Sequence, residues 1–313
     1  MENRAVRRRH SAFAAFLATL VMALGFTAVP ADAAPQEQVD YVALGDSYTA
    51  GTGAGPFTWT FPCIQTTGGY VDIVDSQPLV KLEKNAACHG ALLKAFAEPG
   101  HVPSVKDQIV ALKAAGSLSY STELVSLTAG ANDTGVNSTL FICGTSTSEA
   151  CKEAVTASVQ SLPLVAADLV RSFGAIRQAA PKAKIAVLGY PRLFDPVGGY
   201  PVISPTNQTL VNQGTALLNA TLAASVATAR ALYHADAQYI DVTSRFSGHA
   251  VNNVNQSWLC FEPLAPCIPT VPNPVPGGDP IPDPRNFHPN AAGHLAYASA
   301  LTEAVNLTAL ARR

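Results

Sequence analysis

The sequence predicts an α/β fold built on a parallel sheet. Short apolar runs alternate with segments whose apolar residues recur at helical spacing. The runs are nearly continuous, which is typical of strands that are buried on both faces. Strands that alternate with helices form a parallel sheet with helices on both sides. The predicted strands are residues 39–44, 123–129, 184–188 and 237–242.

Prolines and apolar spacing delimit the predicted helices. Pro103 and Pro289 stand at helix entries, where the fixed φ of proline is favourable. Pro181 ends a long helical pattern, within which Pro163 predicts a kink or a break. The predicted helices are residues 104–115, 149–180, 206–232 and 290–311.

The N-terminus has the three parts of a secretory signal peptide. A head with four arginines precedes an apolar run over residues 12–29, and a small-x-small cleavage site follows at residues 31–33. The run is shorter than the roughly 20 residues that span a membrane. We therefore expect residues 1–33 to be a signal peptide, and residues 34–313 to be one secreted, extracellular domain.

The charge of the chain argues against nucleic acid as a partner. The sequence has 20 Lys and Arg against 22 Asp and Glu, and no basic run follows the predicted leader. The leader contains four arginines and two acidic residues, so its removal changes the net charge from -2 to -4. A nucleic-acid-binding domain would instead carry a basic patch.

All six cysteines lie after the predicted leader. An even number of cysteines in an exported chain favours disulfides, and fifteen arrangements of three bonds are possible. Two pairs are so close in sequence that they favour local loops, which leaves the remaining two cysteines with each other. The predicted disulfides are Cys63–Cys88, Cys143–Cys151 and Cys260–Cys267.

Polar residues follow two of the predicted strands at their carboxyl ends, where sites form in an open parallel sheet. Ser47 follows the first strand, and Asn132 follows the second. A serine in such a turn can expose its hydroxyl while its own N–H helps to hold an oxyanion. Such a nucleophile needs a base, and His288, which opens the last helix between an aromatic residue and a proline, is the candidate.

Four blocks of the sequence resemble the SGNH hydrolases, which are also called GDSL lipases and esterases. The blocks are YVALGDSYTAG (41–51), CHGA (88–91), TAGAND (128–133) and HPNAAGH (288–294). They occur in the family's order, and the likeness extends over residues 39–311. LGYPRLF (188–194), FSGHA (246–250) and the cysteine layout resemble the exported bacterial lipase branch of the family.

The resemblance implies a three-layer α/β/α sandwich with a central parallel sheet, of flavodoxin-like type. It also implies a lipase or esterase that needs neither a metal nor another cofactor. Ser47 would be the nucleophile and His288 the base. The backbone N–H groups of Ser47 and Gly90 and the side-chain amide of Asn132 would form the oxyanion hole.

The sequence departs from the family at the third member of the catalytic triad. The family usually has Asp three residues before the histidine, and this chain has Arg285 there. Asp283 lies five residues before His288, beyond Pro284. We expect the backbone carbonyl of Arg285 to orient the imidazole, which would give a Ser–His dyad. The alternative is that Asp283 reaches His288 because nine prolines make residues 262–285 an irregular loop.

Several functions remain compatible with these residues. The substrate is expected to be a small-molecule or lipid ester, with phospholipase and polysaccharide acetylesterase as alternatives within the same chemistry. A non-catalytic binding protein on this scaffold is a further alternative, which only the missing acid at position 285 supports. We expect a monomer that makes transient contact with a lipid interface.

Overall fold

Five parallel strands form the central sheet of the computed structural model, which describes residues 37–60, 62–94, 101–261 and 285–312. The predicted leader therefore lies outside the described residues. The strands are β1 Val39–Gly45, β2 Phe57–Thr60, β3 Cys63–Thr66, β4 Val80–Asn85, β5 Leu124–Thr128, β6 Lys184–Leu188 and β7 Ala237–Ile240. The sheet order is β4-β1-β5-β6-β7, and β2 and β3 form a separate antiparallel hairpin.

The edge strand β4 was not predicted from the sequence. Among the described residues it pairs only with β1, and its sequence is VKLEKN, of which only Val80 is buried. Charged residues on an exposed edge strand discourage further strand pairing. They also remove the continuous apolar run by which the other four strands were recognised.

The helices cover the sheet in two groups. They are α1 Tyr70–Asp75, α2 Val105–Ala114, α3 Val136–Thr145, α4 Ser148–Gln160, α5 Leu162–Ala179, α6 Pro205–Tyr233, α7 Ala291–Ala304 and α8 Leu307–Leu310. Helix α1 packs against α7, and α7 contacts β6 and β7. Helix α5 packs against both α2 and α6, and α2 contacts β1. The predicted three-layer α/β/α architecture is confirmed.

Two of the predicted helices are each divided in two. The pattern over residues 149–180 is broken at Ser161, so Pro163 lies in the first turn of α5 and does not kink a longer helix. The pattern over residues 290–311 ends at Ala304, and the side chain of Asn306 caps a new helix by accepting the N–H of Ala309 at 3.0 Å.

Helix α5 supplies one wall of the core. Leu162, Val165, Leu169, Phe173 and Ile176 are buried and recur every three or four residues. Among the described residues, the stretch formed by α4 and α5 is long and apolar enough to cross a membrane by length and composition. Its one-sided burial is the pattern of helices that pack on a core.

Two disulfides join neighbouring parts of the described chain. Cys63–Cys88 links the β2–β3 hairpin to the segment after β4, and Cys143–Cys151 links α3 to α4. Cys260 is also disulfide-bonded, and Cys267, its predicted partner, lies outside the described residues.

Candidate active site

The side chains of Ser47 and His288 meet although they are 241 positions apart in the sequence. The Nε2 atom of His288 lies 2.7 Å from Oγ of Ser47, which is a hydrogen-bond distance. Ser47 follows β1, and His288 precedes α7. The sheet and helix α7 together therefore bring a hydroxyl and an imidazole into direct contact.

The turn that carries Ser47 depends on a glycine. Gly45 has φ +129°, and a Cβ atom there would lie 2.2 Å from the carbonyl oxygen of Thr128 on the adjacent strand. Only glycine allows this backbone conformation and this close approach of β5. Gly45 pairs with Thr128 in the β1–β5 register, so the turns after both strands lie side by side.

Two buried polar side chains hold this turn. Gln108 of α2 accepts the N–H of Gly45 at 2.7 Å and donates to its carbonyl oxygen at 3.0 Å. The carboxyl group of Asp46 accepts the N–H of Tyr48 at 3.1 Å and the hydroxyls of Thr128 and Tyr190. Burial raises the pKa of Asp46, which its hydrogen-bond donors partly oppose. These contacts fix the backbone on both sides of Ser47.

A tight backbone turn presents His288. Its Nδ1 atom lies 3.0 Å from the carbonyl oxygen of Asn286, whereas the carbonyl of Arg285 accepts the backbone N–H of His288 at 3.0 Å. The expected carbonyl, that of Arg285, also acts on the imidazole and raises its pKa, but the oxygen 3.0 Å from Nδ1 is that of Asn286, one residue further on. Asp283 lies outside the described residues.

This geometry fixes the tautomer of His288. A carbonyl oxygen only accepts hydrogen bonds, so Nδ1 carries the proton and Nε2 presents its lone pair to Ser47. Burial lowers the pKa of His288 to about 3, and the nearby His89 acts in the same direction. The carbonyls of Asn286 and Arg285 oppose this shift. The imidazole is therefore neutral near pH 7 and can accept a proton.

The segment with Gly90 lies beside His288. The ring of His89 is 5.2 Å from that of His288, and its Nδ1 atom lies 3.1 Å from the hydroxyl of Thr52. Burial lowers the pKa of His89 to about 4. Gly90 has φ +79°, a conformation that glycine adopts readily. Within the described part of the chain, neither the N–H of Gly90 nor that of Ser47 donates to a protein acceptor.

Asn132 begins a short 3-10 helix after β5. Its Nδ2 atom donates to the carbonyl oxygen of Ala91 at 2.9 Å, so the amide is held against the segment that contains Gly90. An amide nitrogen has two hydrogens, and this bond uses one of them. Gly90 and Asn132 also line the same open cleft, whose volume is about 320 Å³. The structure thus joins Ser47 to His288 and Asn132 to the segment with Gly90, and the ring contact of His89 with His288 brings the two pairs near each other.

Two further polar residues of the family-like blocks, Asp133 and His294, hold the backbone around the site. Asp133 accepts the N–H of Leu93 with both carboxylate oxygens, at 3.1 and 3.2 Å. Burial raises its pKa to about 6. His294 is fully buried, accepts the N–H of Tyr70 at 3.2 Å and donates to the carbonyl of Thr52 at 3.0 Å.

Sequence reasoning missed four side chains that surround the site. Gln108 gave no signal, because a single Gln in a helix occurs at many unrelated positions, whereas His89 lies inside the CHGA block. Tyr48 lies inside the YVALGDSYTAG block and Tyr190 inside the LGYPRLF block, so the positions of both residues were visible in the sequence. Their contacts depend on distant residues and could not be read from spacing.

Comparison with known proteins identifies the family of this chain. Residues 43–296 match the GDSL-like Lipase/Acylhydrolase family. The chain is 32% identical over 249 residues to "Lipase" from Streptomyces rimosus. This alignment covers 77% of this chain and 84% of that protein. The chain is 31% identical over 250 residues to "Lipase 1" from Streptomyces coelicolor, which covers 78% of this chain and 85% of that protein.

Solved structures show the same likeness. The extracellular lipase from Streptomyces rimosus superposes with a TM-score of 0.67 at 26% identity, over 85% of this chain and 100% of that one. Phospholipase A1 from Streptomyces albidoflavus NA297 superposes with a TM-score of 0.66 at 28% identity, over 85% and 98% of the two chains. This chain therefore belongs to the GDSL-like lipase and acylhydrolase family, and it is a carboxylic ester hydrolase.

Proposed function

We propose that this protein is a secreted lipase or esterase in which Ser47 is the nucleophile and His288 is the general base. The observation that carries the proposal is the 2.7 Å contact between Ser47 Oγ and His288 Nε2, with Nδ1 bonded to a backbone carbonyl. A neutral imidazole in this orientation can remove the hydroxyl proton as the oxygen attacks.

The reaction would proceed in two steps. In the first, Ser47 Oγ attacks the ester carbonyl carbon while its proton passes to His288 Nε2. The resulting oxyanion would be stabilised by the N–H groups of Ser47 and Gly90 and by the amide of Asn132. His288 would then protonate the leaving alcohol, which leaves an acyl group on Ser47.

In the second step, water replaces the alcohol. His288 would take a proton from the water as its oxygen attacks the acyl-enzyme, and the same three donors would hold the second oxyanion. The proton would return to Ser47 Oγ as the carboxylic acid leaves. The proposal involves no metal or other cofactor.

We propose that the imidazole is oriented by a backbone carbonyl and not by a carboxylate. The 3.0 Å distance from His288 Nδ1 to the carbonyl oxygen of Asn286 supports this Ser–His dyad. A carbonyl can fix the tautomer without a negative charge, because it only needs to accept one hydrogen bond.

The two cavities beside the site favour an ester with an acyl chain over an acetyl ester. The open cleft shares Val136 with a second, apolar cavity of about 50 Å³ between α3, α4 and α6. Val155, Leu162, Leu193 and Leu218 are among the residues that line the second cavity. An apolar cavity of this kind would bind a few carbons of a hydrocarbon chain, which an acetyl group lacks.

A phospholipid is the second candidate substrate. The observation in its favour is the structural likeness to the protein described as phospholipase A1, at 28% identity. A panel of nitrophenyl esters from acetate to palmitate, run beside a triglyceride and a diacyl phospholipid, would decide between the candidates. Acyl release from the phospholipid alone would select a phospholipase. A maximum at acetate would contradict the acyl-chain assignment.

Export and assembly complete the proposal. The leader pattern in residues 1–33 and the disulfides support secretion into an oxidising environment. We propose that residues 34–313 form the mature domain and that it acts as a monomer in transient contact with lipid. N-terminal sequencing of protein from culture medium, with size-exclusion chromatography of the same sample, tests both points.

Covalent labelling tests the catalytic assignment directly. A fluorophosphonate forms a bond from Ser47 Oγ to phosphorus with loss of fluoride, provided that the hydroxyl is activated. We expect mass spectrometry to place the label on Ser47, and Ser47→Ala to abolish it. A folded wild-type protein that resists labelling would contradict the proposal and favour a non-catalytic binding protein.

A further inference from the structure

The turn over residues 285–288, here called the histidine turn, contains an unfavourable backbone conformation. Phe287, which directly precedes His288, has φ +65°. This left-handed region is uncommon for residues other than glycine and is unfavourable for a bulky one. Such a conformation persists only where surrounding contacts hold it in place.

Besides the bond from the His288 N–H to the carbonyl of Arg285, three hydrogen bonds hold the backbone of Phe287 and His288. The N–H of Phe287 donates to the carbonyl of Cys260 at 2.8 Å, and the carbonyl of His288 accepts the N–H of Cys260 at 2.8 Å. The third bond comes from a side chain, because the hydroxyl of Tyr48 donates to the carbonyl of Phe287 at 2.5 Å. That carbonyl belongs to the same peptide unit as the backbone N–H of His288.

Tyr48 is also fixed at its other end. It directly follows Ser47, and its N–H donates to the carboxyl group of Asp46 at 3.1 Å. Its ring is 5.2 Å from those of His288 and Tyr190, and its residue is 7% exposed. One nearly buried side chain therefore connects the turn that carries Ser47 to the histidine turn.

This connection matters because of how His288 is oriented. Its Nδ1 bonds to the carbonyl of Asn286, which lies on the same short turn. A partner on the same turn fixes the ring relative to the turn, but it cannot fix the turn relative to Ser47. Some contact between the two turns must do that.

We propose that Tyr48 is a positioning residue, whose hydroxyl locks the Phe287–His288 peptide and so sets the distance from His288 Nε2 to Ser47 Oγ. The inference rests on the proposed function of Ser47 and His288. Burial and the nearby carboxyl of Asp46 raise the pKa of Tyr48, so the hydroxyl stays protonated and remains a donor.

The test is Tyr48→Phe, which keeps the ring and removes only the hydroxyl. We expect kcat to fall about tenfold to a hundredfold, with KM changed by less than about twofold, since the geometry of the reacting atoms is lost but not the substrate site. Fluorophosphonate labelling of Ser47 should slow by a similar factor. The acid limb of kcat/KM should move to higher pH, because a looser turn admits water and lets the pKa of His288 rise.

Tyr41→Phe is the matched control. The Tyr41 hydroxyl is buried on β1, lies 2.5 Å from Ser126 Oγ and makes no described contact with His288. This variant should lose stability as Tyr48→Phe does, but it should keep the wild-type kcat, labelling rate and pH profile. Unchanged values of all three in a folded Tyr48→Phe would overturn the inference.

A second variant covers the case in which Tyr48→Phe does not fold. Phe287→Gly removes the unfavourable φ but frees the same peptide, so it should also lower kcat and leave KM nearly unchanged. Full kcat in this variant would show that the rigidity of the turn is unimportant. Failure of wild-type protein to label at Ser47 would instead refute the proposed function itself.

Discussion

The carboxylate of Asp133 accepts the backbone N–H of Leu93, while the preceding residue, Asn132, donates to the carbonyl of Ala91. Two consecutive side chains after β5 thus hold the segment that follows Gly90. We expect Asp133→Ala to lower kcat about tenfold, because Gly90 would no longer be held in place. Asp133→Asn should retain most activity, since its amide oxygen can accept the same bond. Equal losses in both variants would contradict this role.

Asn132→Ala should fold but lose about a hundredfold to a thousandfold in kcat, the usual effect of removing one oxyanion donor. Stopped-flow or steady-state hydrolysis of a nitrophenyl ester measures the loss. Asn252→Ala is the control, because Asn252 is buried and bonded to Asp195, Tyr200 and Gln208 outside the site. It should lower the melting temperature with little change in kcat. Near wild-type turnover of Asn132→Ala would remove this residue from the oxyanion hole.

The pH dependence of kcat/KM should lack an inflection near the ordinary histidine pKa of 6.5. Burial lowers the pKa of His288 to about 3, so the neutral base persists as the pH falls. Activity should therefore decline only well below pH 6.5, provided the protein remains folded. Measurements with an ester that does not ionise, from about pH 4 to pH 9, would show this. If kcat/KM fell to half of its maximum at pH 6.5 or above, the lowered pKa of the buried His288 imidazole would be contradicted.

Asp283→Asn should leave kcat within about twofold of the wild-type value if a carbonyl orients His288. If Asp283 were a catalytic carboxylate, Asp283→Asn would lower kcat far more, by roughly ten-thousandfold, as replacement of the triad aspartate does in serine proteases. Asp279→Asn, in the same proline-rich stretch, is the matched control. A loss of several thousandfold that is confined to Asp283→Asn, in folded protein, would establish a triad.

Gly214→Leu should shorten the preferred acyl chain. Gly214 lines the apolar cavity, and a Cβ atom there would lie 3.4 Å from a methyl group of Val155. We expect kcat/KM for palmitate to fall about tenfold or more, while that for acetate stays within about twofold. Ala224→Leu adds the same side chain on the exposed side of α6 and should change neither. An unchanged chain-length profile in Gly214→Leu would exclude this cavity as the acyl site.

Much of the fold was visible in the sequence because it rests on local patterns. Continuous apolar runs predicted β1, β5, β6 and β7, since strands buried on both faces need apolar residues on both sides. The break at Ser161 was predicted within two residues, at Pro163, but the edge strand β4 and the break at Asn306 were missed. In these places, solvent exposure and side-chain capping replace the apolar pattern.

The sequence by itself determined which chemical groups are present and in what order: a serine after β1, an asparagine after β5 and a histidine before α7. Only the tertiary structure decided which carbonyl holds the imidazole and which side chains fix the turns. Asn286, Tyr48 and Gln108 act through contacts with residues whose distance from them depends on how the whole chain packs. Hydrogen bonds require distances near 3 Å, and no spacing in the sequence specifies such a distance between remote residues.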